Sequence, residues 1–150
     1  MFTGHSSRQQ FFEHGIEQSR WTPRAGAVLA TAKELAAPTG RITAEHILLA
    51  LECGDHEVSR VLRVLAISPS AALGWPAPSS WSRRTDLYCE DFDSSLRELP
   101  QLVIEEAKAM GDSYLGIEHL LLALARVGVP GVDLPYDRIK QTWCQVMGRS

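Results

Sequence analysis

Glu45-His46-Ile47-Leu48-Leu49-Ala50-Leu51 returns downstream as Glu118-His119-Leu120-Leu121-Leu122-Ala123-Leu124, with Leu120 in place of Ile47 as the one difference. Near-identity over a block of this kind marks an internal repeat, the feature to settle before any local reading. The flanks repeat as well. An Ala-rich stretch at helical spacing, Thr22 to Gly40, precedes the first copy, and Asp93 to Gly111, closing on IEEAKAMG, precedes the second. A helix that is apolar nearly all round, as both copies are, belongs in the middle of a core. The chain is therefore read as a duplicated all-α module.

In the first module Thr22-Pro23 opens a helix. The hydroxyl suits the N-cap, and proline at the first helical position lacks only an N–H that would have no partner there. Val28, Leu29, Ala32, Leu35 and Ala36 form its apolar stripe, and Pro38 and Gly40 end it. A second helix runs from Thr43 through the EHILLAL block. A third follows Asp55 with Val58, Val61, Leu62 and Leu65 at i, i+3, i+4 and i+7, and a short fourth begins at Ser68-Pro69. In the second module Pro100 falls where the first long helix should already be running, so that helix is expected to begin near Pro100 or to kink there. After EHLLLAL, the stretch RVGVPGVDLP stands where the third helix would follow; its glycines and prolines predict that the second module lacks it. A last helix is expected from Pro135 to about Met147. Residues 1–20 read as a tail carrying one short helix at about 8–18. Module one then spans 21–73, a linker 74–91 and module two 92–148. Trp75 and Trp81 in the linker read as packing anchors, and Arg83-Arg84 as a solvated turn.

A chain of 150 residues, 45% hydrophobic, suits one globular unit with a real core. The formal charge of −3 gives no overall attraction to nucleic acid or to an anionic membrane surface. No apolar run approaches the length of a membrane span, and no secretory signal is recognisable at the amino terminus, so a cytoplasmic location is expected. Cys53, Cys89 and Cys144 are too scattered for a disulfide framework or a zinc site. His46 and His119 read as satisfied helix-end histidines rather than metal ligands. No catalytic constellation is recognisable, so the reading contains no enzyme, no metal and no cofactor.

The motifs WTPRAGAVL, ITAEHILLAL, SRVLRVLAI, EEAKAMGDSYLGIEHLLLAL and the closing QVMG resemble the amino-terminal substrate-recognition domain of Clp AAA+ chaperones, the ClpC, ClpA and ClpB group. The resemblance spans about Trp21 to Gly148. It implies a tandem pseudo-twofold repeat of four-helix units that binds substrates and adaptors for an ATP-driven unfoldase. No GxxxxGK(S/T) phosphate loop occurs in the sequence. The expectation is thus a stand-alone Clp amino-terminal protein acting only by binding, with a Clp ATPase, a Clp peptidase or a substrate protein as partner. The competing reading is a repurposed helical repeat that binds a small ligand or nucleic acid without a Clp partner.

The resemblance also implies a site. In some ClpC-type members the matching glutamate and the threonine of the TPR motif hold phosphoarginine, the carboxylate pairing the guanidinium while the helix end holds the phosphate. Carried over in chain order, this pairs Thr22 with Glu45, and pairs Glu118 with Asp93, which stands in place of the threonine. The first pocket is expected to be the better one, because Asp93 would repel phosphate. A carboxylate in a first helical turn is also stabilised by the helix dipole, by about 0.3–1 kcal/mol, which accounts for both glutamates without any ligand. The purified chain is expected to turn over no ATP; hydrolysis that co-purifies with it through successive columns would refute that reading.

Overall fold

Thr22, extended at φ −70° and ψ 155°, accepts the Ala25 N–H on its hydroxyl, and α1 (Pro23–Leu35) starts there with proline in its first turn. The computed structural model describes residues 20–83 and 87–148; the expected tail helix at about 8–18 and Arg84 lie outside them. The chain continues through α2 (Ala44–Glu52), α3 (Glu57–Val64), α4 (Pro69–Leu73), α5 (Leu99–Ala109), α6 (Ile117–Val127) and α7 (Tyr136–Val146). The described residues are all-helical, with no extended strands, as the repeat implied.

The two repeated blocks become α2 and α6, which pack on each other at the centre. Ile47, Leu48, Leu49, Ala50 and Leu51 are buried, as are Leu120 to Leu124. α1 lies against α2 and α5 against α6, so each repeat begins with the same helical pair. Asp93 caps a 3-10 turn, Ser94–Leu96, through the Ser95 N–H, and α5 then starts at Leu99. Pro100 sits in that first turn, where no intrahelical donor is required of it, as expected from its position. The stretch after α6 is not helical: Val129 and Val132 form an isolated bridge there, and the chain reaches α7 only at Tyr136. In chain order the second repeat therefore has three α-helices against four in the first. α7 packs against α3.

Two short parallel bridges tie the repeats together, Trp21 with Leu115 and Ile42 with Phe92. Their hydrogen bonds correspond. Thr22 N–H donates to the Leu115 carbonyl (3.0 Å) and Leu115 N–H to that of Arg20 (2.7 Å). Likewise Asp93 N–H donates to the Ile42 carbonyl and Ile42 N–H to that of Asp91, both at 2.8 Å. A pseudo-twofold thus equates Thr22 with Asp93 and Ile42 with Leu115, and each segment entering a helix pairs with the other repeat.

The linker is anchored as its tryptophans suggested. Trp81 Nε1 donates to the Ala50 carbonyl (2.8 Å), Ser82 N–H donates to the Thr31 hydroxyl (2.7 Å), and Trp75 stacks on His46 while remaining partly exposed.

Three buried histidines hold helix starts. His46 Nδ1 accepts the Thr43 N–H (3.0 Å), and His119 Nδ1 accepts the Gly116 N–H (2.9 Å). His56 caps α3, with Nδ1 accepting from Ser59 N–H (3.2 Å) and Nε2 facing the Cys53 carbonyl (3.0 Å). A ring that accepts at Nδ1 is neutral and carries its proton on Nε2. Burial is the leading cause that holds His46 and His56 below the ordinary 6.5. The unfolded chain then binds more protons than the folded one as pH falls past 6.5, and stability is lost in that direction. Asp55, Glu57 and Asp93, all lowered, add their losses only nearer pH 4. The urea midpoint is expected to be lower at pH 5.5 than at pH 7.5 at constant ionic strength, and to depend less on pH in His46→Gln/His56→Gln; equal wild-type midpoints would contradict the assignment.

Candidate functional site

Because the segment entering α1 pairs with the one entering α6, the N-cap of α1 stands beside the first turn of α6. Thr22, Arg24, Glu57, Tyr114, Gly116, Ile117, Glu118, Trp143 and Met147 line one cavity of about 200 Å³. Thr22 therefore shares its site with Glu118, not with Glu45. Pairing in chain order is corrected here, for a physical reason: the bridges exchange between repeats, which repetition in the sequence cannot reveal.

The Glu118 carboxylate is almost wholly buried. It accepts the Tyr114 hydroxyl at 2.9 Å and folds back over Gly116. A Cβ at Gly116 would lie 2.5 Å from Glu118 Oε1 and 3.1 Å from the Tyr114 ring, so the absence of a side chain there lets the carboxylate take this position. At the rim Arg24 pairs with Glu57 at 2.8 Å, a half-exposed contact that contributes little to stability by itself. The helix start provides positive potential and a hydroxyl, while Glu118 provides buried negative charge. Such a cavity can hold a guanidinium and an oxyanion carried on one ligand.

Asp112, Glu118 and His119 bring oxygen and nitrogen atoms within 4.8 Å of one another, a set that could be taken for metal ligands. The hydrogen bonds argue otherwise. His119 Nδ1 is occupied by the Gly116 N–H, so its proton sits on Nε2, which donates to Asp112 at 2.8 Å. A cation could bind Nε2 only if that proton were lost, leaving an imidazolate, or moved to Nδ1, where it would face the Gly116 N–H and break that bond. The trio reads as a chain that orients the cap of α6.

The pseudo-symmetric position is built differently. Arg41, Cys89, Glu90, Phe92, Asp93, Ser94, Leu96, Arg97 and Pro100 line a second cavity, of about 290 Å³. Asp93, in place of Thr22, is engaged with the Ser95 N–H (3.0 Å) and hydroxyl (2.6 Å). These bonds, followed by the Arg41 charge, hold its carboxyl below the usual range. Glu45 is half-buried in the first turn of α2 and lines neither cavity. Tyr114, Gly116 and Trp143 were not singled out from sequence. The Gly116 signal was present, since the equivalent position of the first copy is Thr43; Trp143 had no counterpart to compare.

The fold and site define a double-repeat helical domain in which the N-cap of α1 and the Glu118 carboxylate line a common cavity. ClpC/MecB of Bacillus subtilis, the negative regulator of genetic competence, is 34% identical over 113 residues, 73% of this chain and 14% of that protein. The chaperone protein ClpB of Oceanobacillus iheyensis is 31% identical over 112 residues, again 73% of this chain and 14% of that protein. The chain thus corresponds to a small part of the length of these relatives. No family model matches it. Among solved structures, the N-terminal domain of the chaperone ClpD from Arabidopsis thaliana covers 88% of this chain and 89% of its own, with 18% identity and a TM-score of 0.46. On the repeat and the sequence similarity to ClpC and ClpB, the chain belongs to the Clp amino-terminal domain family.

Gly116→Ala is expected to drive the Glu118 carboxylate off its position and break the Tyr114 bond, visible as a shift of the Glu118 carboxyl carbon resonance. The stability cost should stay at or below about 1 kcal/mol, because the obstructing atom is the end of a flexible side chain and the position is an N-cap. An unmoved carboxyl signal would show that Gly116 is not what admits it.

Proposed function

We propose that this domain is a non-catalytic protein-interaction module of the Clp system, which binds a substrate or adaptor and engages a Clp complex in the cytoplasm. Similarity to ClpC and ClpB supports the system; the Thr22–Glu118 cavity supports the site. The observation that carries the reading is the buried Glu118 carboxylate set against the N-terminus of α1 in one cavity. That arrangement suits phosphoarginine on a protein chain: the guanidinium meets Glu118, and the phosphoryl group meets the Thr22 end of the helix.

Glu45 takes no part in this cavity, and Asp93 places a carboxylate where phosphate would have to sit in the other. A single reader per chain follows. Titration with free phosphoarginine should show roughly tenfold or greater weakening for Glu118→Ala, the loss of one charge-assisted pair. Glu45→Ala should bind as wild type. A larger loss from Glu45→Ala would overturn the assignment of the site, and no binding by wild type would remove phosphoarginine as the ligand.

A further inference from the structure

Trp143 stands on α7 with 5% of its surface exposed, and its indole Nε1 is buried with no hydrogen-bond acceptor among the described residues. A buried donor without an acceptor has lost its water and received nothing in exchange, so it persists where another interaction supplies the acceptor. The same side chain lines the cavity that holds Thr22 and Glu118. Met147, one helical turn further on, also lines it and is 41% exposed. An unbranched thioether side chain at this place can move aside at low cost. The second cavity has Leu96, Arg97 and Pro100 in its wall and no indole.

We propose that Trp143 is a specificity-determining residue of this cavity: its indole N–H donates to an oxygen of the bound ligand, which reaches it past Met147. The inference rests on the phosphoarginine reading and adds a requirement to it. Glu118 accepts from the guanidinium, whereas Trp143 needs an acceptor, so a ligand bearing both a guanidinium and an oxyanion satisfies the two together. Arginine without the phosphoryl group leaves the indole as it is in the free protein. The carboxylate alone would make the cavity a general cation site; the indole makes it select a guanidinium that carries an oxygen acceptor.

The test is a titration of the full chain with phosphoarginine and, separately, with arginine amide, followed through the assigned indole N–H resonance of Trp143 in proton–nitrogen correlation spectra. Phosphoarginine should move that resonance downfield and arginine amide should leave it in place. Trp143→Phe should bind phosphoarginine roughly tenfold more weakly while its affinity for arginine amide is unchanged. Trp81→Phe, whose indole bonds to the Ala50 carbonyl, should keep wild-type affinity. If wild type binds phosphoarginine in a Glu118-dependent manner but the Trp143 indole signal does not move, the proposal fails and the ligand assignment survives. If wild type binds no phosphoarginine, the ligand assignment fails and the proposal with it. The resonance in wild type decides the matter even if Trp143→Phe does not fold.

Discussion

The exchange of main-chain hydrogen bonds between repeats is the constraint on which the rest of the molecule depends. Thr22 and Leu115 on one side, and Ile42 and Asp93 on the other, fix the entry point of a helix in one repeat against the entry point of a helix in its partner. Each bond adds only about 1 kcal/mol net. Their larger effect is register. With both ends pinned, α2 and α6 face each other along their apolar blocks, and α1 and α5 are placed on the outside of the pair. The N-terminus of α1 then opens toward Glu118 instead of toward its own repeat.

One scaffold carries two unlike cavities because a few substitutions change their chemistry while leaving the backbone pairing intact. Thr22 becomes Asp93, Tyr114 corresponds to Arg41, and Gly116 corresponds to Thr43. The last change has the widest consequence. Over Gly116 the carboxylate of Glu118 occupies space that a Cβ would fill, whereas the corresponding Thr43 carries a side chain, whose hydroxyl lies 3.0 Å from His46 Nδ1. Glu118 is consequently buried beside a tyrosine hydroxyl, whereas Glu45 stays half-exposed on its helix.

The shorter second repeat is closed by buried polar contacts where the first has an additional helix. Glu106, 3% exposed, accepts the Tyr136 hydroxyl at 2.6 Å and the Arg126 guanidinium at 3.2 Å, joining α5, α6 and α7. Burial, with Glu106 beside it, pushes the Tyr136 hydroxyl up to about 12, so the phenol remains a donor throughout the neutral range. The loop from Val129 to Val132, with Pro130 and Gly131, is thereby followed by a helix tied to both α5 and α6.

Helix identity in this protein was written in local pattern. Thr22-Pro23, the repeated Glu-His-aliphatic block, the i, i+3, i+4, i+7 series of α3 and the Gly/Pro stretch after α6 each act over a few residues, so the sequence by itself determined an all-helical repeat and where most of its helices begin. Site residues were legible one at a time for the same reason, since Thr22 and Glu118 each mark a helix start. Which of them meet was decided only by tertiary structure. Repetition along a chain carries no information on whether the segments entering the helices pair within a repeat or across the pseudo-twofold, because both choices satisfy the same periodicity. Pairing across it is what put Thr22 with Glu118. Nor could any periodicity show that Trp143, an ordinary core residue by its spacing on α7, lines that cavity while its buried N–H has no acceptor among the described residues.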